Sequence, residues 1–210
     1  VDIEEGKMNT FTFRDADAWY KRNKFKINQQ DPILNAVLMQ SLEPKSVLEI
    51  GCANGWRLAR FRETFDCKAY GVELSIVAIE DAKPDRLTDI RWGIAKRLPL
   101  SMPVVDMVIY GFCLYLCEPQ DLFQIAAEGD RALVDGGHII IHDFLPEHHH
   151  SRIYKHNPEL RSRKMDHAQL WLAHPGYKML HRDIYGEGDD LTQHVTILRK
   201  DVANAFPLVP

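Results

Sequence analysis

No stretch of about 18 consecutive apolar residues occurs in this chain, so no helical membrane span is expected. A basic excess is missing too. The 26 lysines and arginines stand against 30 aspartates and glutamates, a net charge of −4. Neither a nucleic acid nor an anionic membrane surface is therefore the expected partner. Cysteine is scarce: Cys52, Cys67, Cys113 and Cys117 form no Cys-x-x-Cys pair. They read as free thiols in a reducing cytosol, and the expected location is cytoplasmic. No carboxylate pair at ligand spacing accompanies His148-His149-His150, and three adjacent side chains cannot all point one way. No metal site is expected. The acidic start, Val1 to Lys7, lacks the apolar core of a signal peptide and reads as an expression leader ahead of Met8. Internal repeats are absent.

What is present suits one globular domain: 210 residues, 45% hydrophobic and 27% charged. Residues 8–44 read as an N-terminal helical lid, with one helix over 15–23 and another from Asp31-Pro32 to about Leu42. Asp31 is its expected N-cap, with Pro32 at the first helical position. From residue 45 to 200 the pattern alternates. Strands are expected at 46–50, 68–72, 90–92, 104–110 and 137–142, with helices at 55–65, 75–82 and 119–134. Near-continuous apolar strands predict a parallel sheet covered on both faces, with right-handed crossovers and ligands at the strands' carboxyl ends. Residues 143–175 begin too polar for core and read as an acceptor-binding insertion, with a helix at 166–174 capped by Asp166. Strands at 176–184 and 192–199 close the domain as a hairpin, turning at Gly186-Glu187-Gly188-Asp189-Asp190. A frayed tail over 201–210 follows.

The chemistry concentrates at Ser46-Val47-Leu48-Glu49-Ile50-Gly51-Cys52-Ala53-Asn54-Gly55-Trp56. A strand here ends in a glycine turn that opens a helix, a geometry expected to offer free backbone N–H groups to a ligand. The middle glycine of a dinucleotide fingerprint is missing, because Ala53 stands in its place. Glu49 would repel a pyrophosphate and suits a cationic ligand. Glu73, at the end of the second strand, can accept from a ribose diol, each bond to the charged group adding roughly 1.5–3 kcal/mol. These features together point to a nucleoside cofactor without a pyrophosphate.

These residues resemble motif I of the class I S-adenosylmethionine-dependent methyltransferases. Gly71-Val72-Glu73-Leu74-Ser75 resembles their second motif, Gly93 to Leu100 the third, Val105 to Tyr110 the fourth, and Leu133 to Ile141 the turn into the fifth strand. The resemblance implies an α/β fold: a Rossmann-like, doubly wound, mostly parallel seven-stranded sheet with a C-terminal antiparallel hairpin and an N-terminal helical lid. It implies S-adenosylmethionine as cofactor, contacted by Tyr20, Glu49, Gly51, Cys52, Ala53, Gly55, Glu73, Leu74, Ile94, Ala95, Tyr110 and Gly111. Ile94 departs from the family, many of whose members carry an acid there for the adenine amino group. Trp19 to Asn23 and Tyr110 to Leu116 are further similar to small methylases of bacterial surface-sugar pathways, including that of pseudaminic acid.

The reaction implied is methyl transfer to the oxygen or nitrogen of a small polar acceptor, by a monomer or homodimer. A non-catalytic protein that only binds the cofactor is the alternative. Tyr115, His142 and Asp143 are the catalytic candidates, since all three follow carboxyl ends of strands. His142 could act as a base near neutral pH or be bonded to backbone. Tyr115 could position the acceptor or pack under the lid.

Overall fold

The computed structural model describes residues 10–25, 31–82, 88–188 and 191–208. The expected leader, Asp189-Asp190 of the closing turn, and Val209-Pro210 of the tail lie outside them.

The central sheet has seven strands in the order β3-β2-β1-β4-β5-β9-β8. β1 (Ser46–Ile50), β2 (Lys68–Glu73), β3 (Thr88–Trp92), β4 (Val105–Gly111) and β5 (Leu133–Phe144) pair in parallel. β9 (Gln193–Lys200) runs antiparallel to both β5 and β8 (Tyr177–Tyr185). The strand order reverses between β1 and β4, which opens a crevice at their carboxyl ends.

Alternation along the strands divides the core between two faces. Val47, Met107, Ile109 and Ile140 point to the face covered by α2 (Pro32–Met39) and α3 (Trp56–Phe65). Leu48, Ile50, Val108 and Ile141 point to the opposite face, under α5 (Leu122–Arg131) and α6 (Gln169–Leu172). Phe61 of α3 is fully buried, and its truncation to alanine would cost about 3–5 kcal/mol.

Helix α1 (Phe13–Asn23) starts where Asp15 accepts from the Thr12 N–H at 2.9 Å and from its hydroxyl at 2.7 Å. α2 starts at Pro32, as the sequence suggests, but the Asp31 side chain does not cap it. It accepts from Arg57 Nε at 3.0 Å instead. α2 also stops at Met39, short of Leu42.

The segment 143–175 departs most from expectation. β5 runs on to Phe144, and β6 (His150–Ile153) pairs with β7 (Arg161–Lys164) as a separate antiparallel hairpin. Their sequences, His-Ser-Arg-Ile and Arg-Ser-Arg-Lys, carry almost no apolar alternation, so the sequence gives no strand signal. α6 is shorter than expected and starts at Gln169. Asp166 instead accepts from the Ala168 N–H at 3.1 Å and binds Arg182 through both oxygens, at 2.9 and 3.0 Å. No helix among the described residues is long and apolar enough to cross a membrane.

Candidate cofactor and acceptor site

A cavity opens at the carboxyl ends of β1, β2 and β4, roofed by α1. Tyr20, Gly51, Ala53, Glu73, Leu74, Ile94, Ala95 and Gly111 all line it. It continues past Phe112 and Cys113 to Phe11, Trp19 and Leu116.

The glycine turn works differently from expectation. Four of its N–H groups are used inside the protein. Gly51 and Cys52 donate to the Val72 carbonyl at 2.8 and 3.3 Å, Ala53 donates to Glu73 Oε2 at 2.7 Å, and Gly55 donates to the Cys52 carbonyl at 2.9 Å. What the turn offers instead is close approach. Gly51 holds φ +76°, and a Cβ there would lie 2.9 Å from Cys113 Cβ. Ala53 and Phe112, at φ +52° and +54°, hold left-handed backbone without being glycine, and both line the cavity. That conformation costs an L-residue roughly 1–2 kcal/mol, a strain that gathers at functional sites.

Glu73 is the best-organised polar group of the cavity. Oε1 accepts from the N–H groups of Leu74 and Ser75, at 2.8 and 2.7 Å, while Oε2 accepts from Ala53. Of roughly four acceptor positions on a carboxylate, these bonds leave one, on Oε2. Burial pushes the carboxyl up, and the three backbone bonds pull against that.

Four of the cofactor candidates do not reach the cavity wall. Glu49 shares its strand face with Val47, so it points toward α3, where it pairs with the buried Arg57. Burial raises its carboxyl to about 7 against the pull of Arg57. Cys52 turns into the core cluster beneath α3. Gly55, at φ +74°, lets α3 pack on β3, since a Cβ there would lie 2.6 Å from Ile90 Cδ1. Tyr110 fills the opposite core, its hydroxyl donating to the Ile125 carbonyl at 3.2 Å and its ring 5.2 Å from that of Trp171.

None of the three catalytic candidates lines the cavity. Asp143 is fully buried and accepts from the N–H groups of Tyr115 and Phe144, at 3.2 and 2.8 Å, so it braces the turn after β4. Burial raises its carboxyl to about 7. His142 pairs through Nε2 with Gln193 Oε1 at 3.3 Å and stacks edge-on against Phe112, with ring centroids 4.3 Å apart. Burial, with Arg57 adding to it, lowers its pKa to about 3 and keeps it neutral. Tyr115 lies behind the wall, packed with Trp19 and Tyr154, its hydroxyl held protonated by burial.

The sequence reading passed over Phe11, Phe112, Cys117, Glu118 and Asp121 on the wall. The composition of 111–121 gives no chemical signal for the last four. Only its position after the fourth strand could have flagged it. From 143–175 no described residue reaches the wall. The hairpin backs it through Tyr154 and Leu160.

Helix α1 ties the two sides of the cavity together. Asp17 accepts from Ser75 Oγ at 2.7 Å and from the Val77 N–H at 3.1 Å, at the start of α4 (Ile76–Glu80). Tyr20 donates to Asp81 at 2.6 Å. Toward the hairpin, Asp15 accepts from Asn157 at 2.9 Å and Arg22 donates to the Tyr154 hydroxyl at 3.1 Å.

A doubly wound sheet with an acid at the end of β2 and a tight glycine approach after β1 defines a Rossmann-like domain for a nucleoside cofactor. Residues 48–141 match the family described as a methyltransferase domain. Part of the chain thus matches a methyltransferase-domain family, and its fold is that of S-adenosylmethionine-dependent methyltransferases of known structure. The chain is similar to the tRNA N(3)-methylcytidine methyltransferase of Schizosaccharomyces pombe, 27% identical over 170 residues. That alignment covers 68% of this chain and 55% of the relative, so the chain spans about half the length of the curated relative it matches. Among solved structures it resembles 1,6-didemethyltoxoflavin-N1-methyltransferase of Burkholderia thailandensis with bound S-adenosylhomocysteine. The TM-score is 0.72 at 17% identity, over 90% of this chain and 87% of the other. A Haloferax volcanii methyltransferase complexed with its Trm112 activator matches with a TM-score of 0.70 at 18% identity, over 90% and 98% of the two chains.

The residues suit S-adenosylmethionine. Glu73 keeps an acceptor position at the cavity, and the Gly51 approach would be closed by any side chain.

Proposed function

We propose that this chain transfers a methyl group from S-adenosylmethionine to a nitrogen or oxygen of a small-molecule acceptor. The observation that carries the reading is Glu73, fixed by three backbone N–H groups at the edge of a roofed cavity on the methyltransferase turn. In this reading Glu73 Oε2 takes a ribose hydroxyl, and Leu74, Ile94 and Ala95 pack around the adenine. Gly51, Ala53, Gly111 and Tyr20 enclose the methionine end.

S-adenosylmethionine, when bound, supplies a methyl group already activated for in-line displacement. The protein's own work is then positioning and exclusion of water. α1 closes the cavity from above. Asp143, by holding the Tyr115 N–H, keeps the turn that carries Phe112 and Leu116 in place, and His142 supports the Phe112 ring. Tyr115, His142 and Asp143 act as supports of the wall.

The relative that methylates tRNA favours a second reading, an RNA acceptor. Arg152, Lys155 and Arg161 on the hairpin would be its contact surface. Against it stand the net charge of −4 and a cavity wall whose charged members, Glu73, Lys96, Glu118 and Asp121, sum to −2. The similarity to surface-sugar methylases supports a small acceptor of bacterial metabolism, without fixing which.

Incubation with methyl-labelled cofactor, a metabolite extract and a separate tRNA pool tests this. Label in a compound of the metabolite fraction is the expected result. Label only in tRNA would replace this reading with the second. Label in neither, with cofactor bound, would make the chain a binding protein without turnover.

A further inference from the structure

Beyond Glu73 and the turn, the rings of Phe11, Trp19 and Phe112 stand on the cavity wall among aliphatic and a few polar residues. Phe11 and Trp19 come from the lid side and Phe112 from the end of β4. A second layer supports them: Phe144 lies 5.2 Å from Phe112 and 5.2 Å from Tyr115 between ring centroids, all three pairs in this group being edge-to-face. Phe112 keeps its place at the cost of a left-handed backbone. Flat rings backed by flat rings offer a surface for offset stacking, worth about 0.5–1.5 kcal/mol per pair beyond area burial. Apart from the single indole N–H of Trp19, they offer no hydrogen-bond partners for the many hydroxyls of a saturated sugar, whose burial without partners is costly.

The wall also lacks a ready base among the described residues. His142 lies behind Phe112, and its accessible nitrogen is engaged by Gln193. The two other acids on the wall are both ion-paired, Glu118 with Arg163 at 2.6 Å and Asp121 with Lys96 at 2.8 Å. Cys117 lines the wall as a thiol, pushed up to about 12 by burial. A sugar hydroxyl needs a base to become a nucleophile near neutral pH. A ring nitrogen with a free lone pair does not.

From this geometry we infer that the acceptor is a neutral, planar heteroaromatic molecule, stacked against Phe11, Trp19 and Phe112, and methylated on a ring nitrogen whose lone pair is free at neutral pH. This rests on the methyltransferase reading above and narrows its acceptor. The nitrogen lone pair forms the new C–N bond as the C–S bond breaks, and that bond's electron pair stays on sulfur. The positive charge passes from sulfur to the methylated ring, and no proton is released. Neither a base nor a metal is consumed.

The test uses the full chain loaded with S-adenosylhomocysteine, whose own binding is measured first by calorimetry. Isoquinoline then serves as a planar probe with a free ring lone pair, and methyl α-D-glucopyranoside as a saturated polyol. Saturable isoquinoline binding, at least tenfold tighter than that of the glucoside and weakened at least fivefold by Phe112→Leu and Phe11→Leu, is the expected result. Phe11 lies ahead of α1, so its variant keeps the test valid if Phe112→Leu fails to fold. Three results would overturn the inference: no isoquinoline binding, glucoside binding of equal strength, or isoquinoline binding unchanged in the variants. Failure of S-adenosylhomocysteine itself to bind would instead overturn the methyltransferase reading.

Discussion

The N–H of Ala53 donates to Glu73 Oε2 across 2.7 Å, joining the turn after β1 to the end of β2, twenty residues away. One hydrogen bond thereby orients the carboxylate and fixes the turn. Ala53 makes this bond from a backbone with positive φ, at a residue that is not glycine. The strain is local and can be relieved by mutation.

Ala53→Gly keeps the N–H and removes the left-handed penalty of roughly 1–2 kcal/mol, offset in part by the greater entropy that glycine loses on folding, about 0.5–1 kcal/mol. The expected outcome is a melting temperature equal to or slightly above that of the parent. A loss of more than about 1 kcal/mol in chemical denaturation would show that the alanine methyl is needed for packing.

Arg57 separates two buried carboxylates, Glu49 and Asp31. Removing it leaves both uncompensated, so Arg57→Met should destabilise the protein by about 3–5 kcal/mol. Urea denaturation at neutral pH checks this. A change below 1 kcal/mol would mean that Glu49 is held by something other than Arg57.

Asp17 anchors the lid to the start of α4 through Ser75 and Val77. Asp17→Ala should speed release of S-adenosylhomocysteine at least tenfold, the equivalent of roughly 1.4 kcal/mol, about the lower end for a single lost bond to a charged group. Stopped-flow tryptophan fluorescence reads that rate. An unchanged rate would place the opening elsewhere than at α1.

His194 is wholly buried, with Nδ1 2.6 Å from Thr196 Oγ1 and Nε2 unpartnered. Burial, reinforced by Arg182, lowers it from 6.5 to about 4. The folded-state pKa is below the unfolded one, so the stability it contributes is complete above about 6.5 and is lost as pH falls toward 4. Between pH 7 and pH 5 the parent should therefore lose about 2 kcal/mol more than His194→Gln, at 1.36 kcal/mol per pH unit below 6.5. Equal losses in denaturation at the two pH values would contradict this assignment.

The sequence carries the sheet clearly, because buried parallel strands such as Val47 to Ile50 and Met107 to Tyr110 are apolar runs bounded by turn residues. It carries Glu73 and Gly51 as well, since their chemistry depends on residue type and spacing. It misleads at Glu49, where the strand's alternation sends the side chain to the far face and Arg57, eight residues on, captures it. The β6–β7 hairpin is invisible because its strands are polar. Phe112 is invisible for a different reason: a phenylalanine after a strand reads as core, and only the left-handed backbone turns its ring to the cavity.

The most direct test of the account is calorimetric titration of S-adenosylhomocysteine into the parent protein and into Glu73→Ala. The account predicts one site per chain in the parent and affinity weakened by at least tenfold in the variant, from loss of a bond to a charged group worth roughly 1.5–3 kcal/mol. A circular dichroism spectrum matching the parent's would show that the variant is folded. No binding by the parent, or equal affinity in a folded Glu73→Ala, would contradict it.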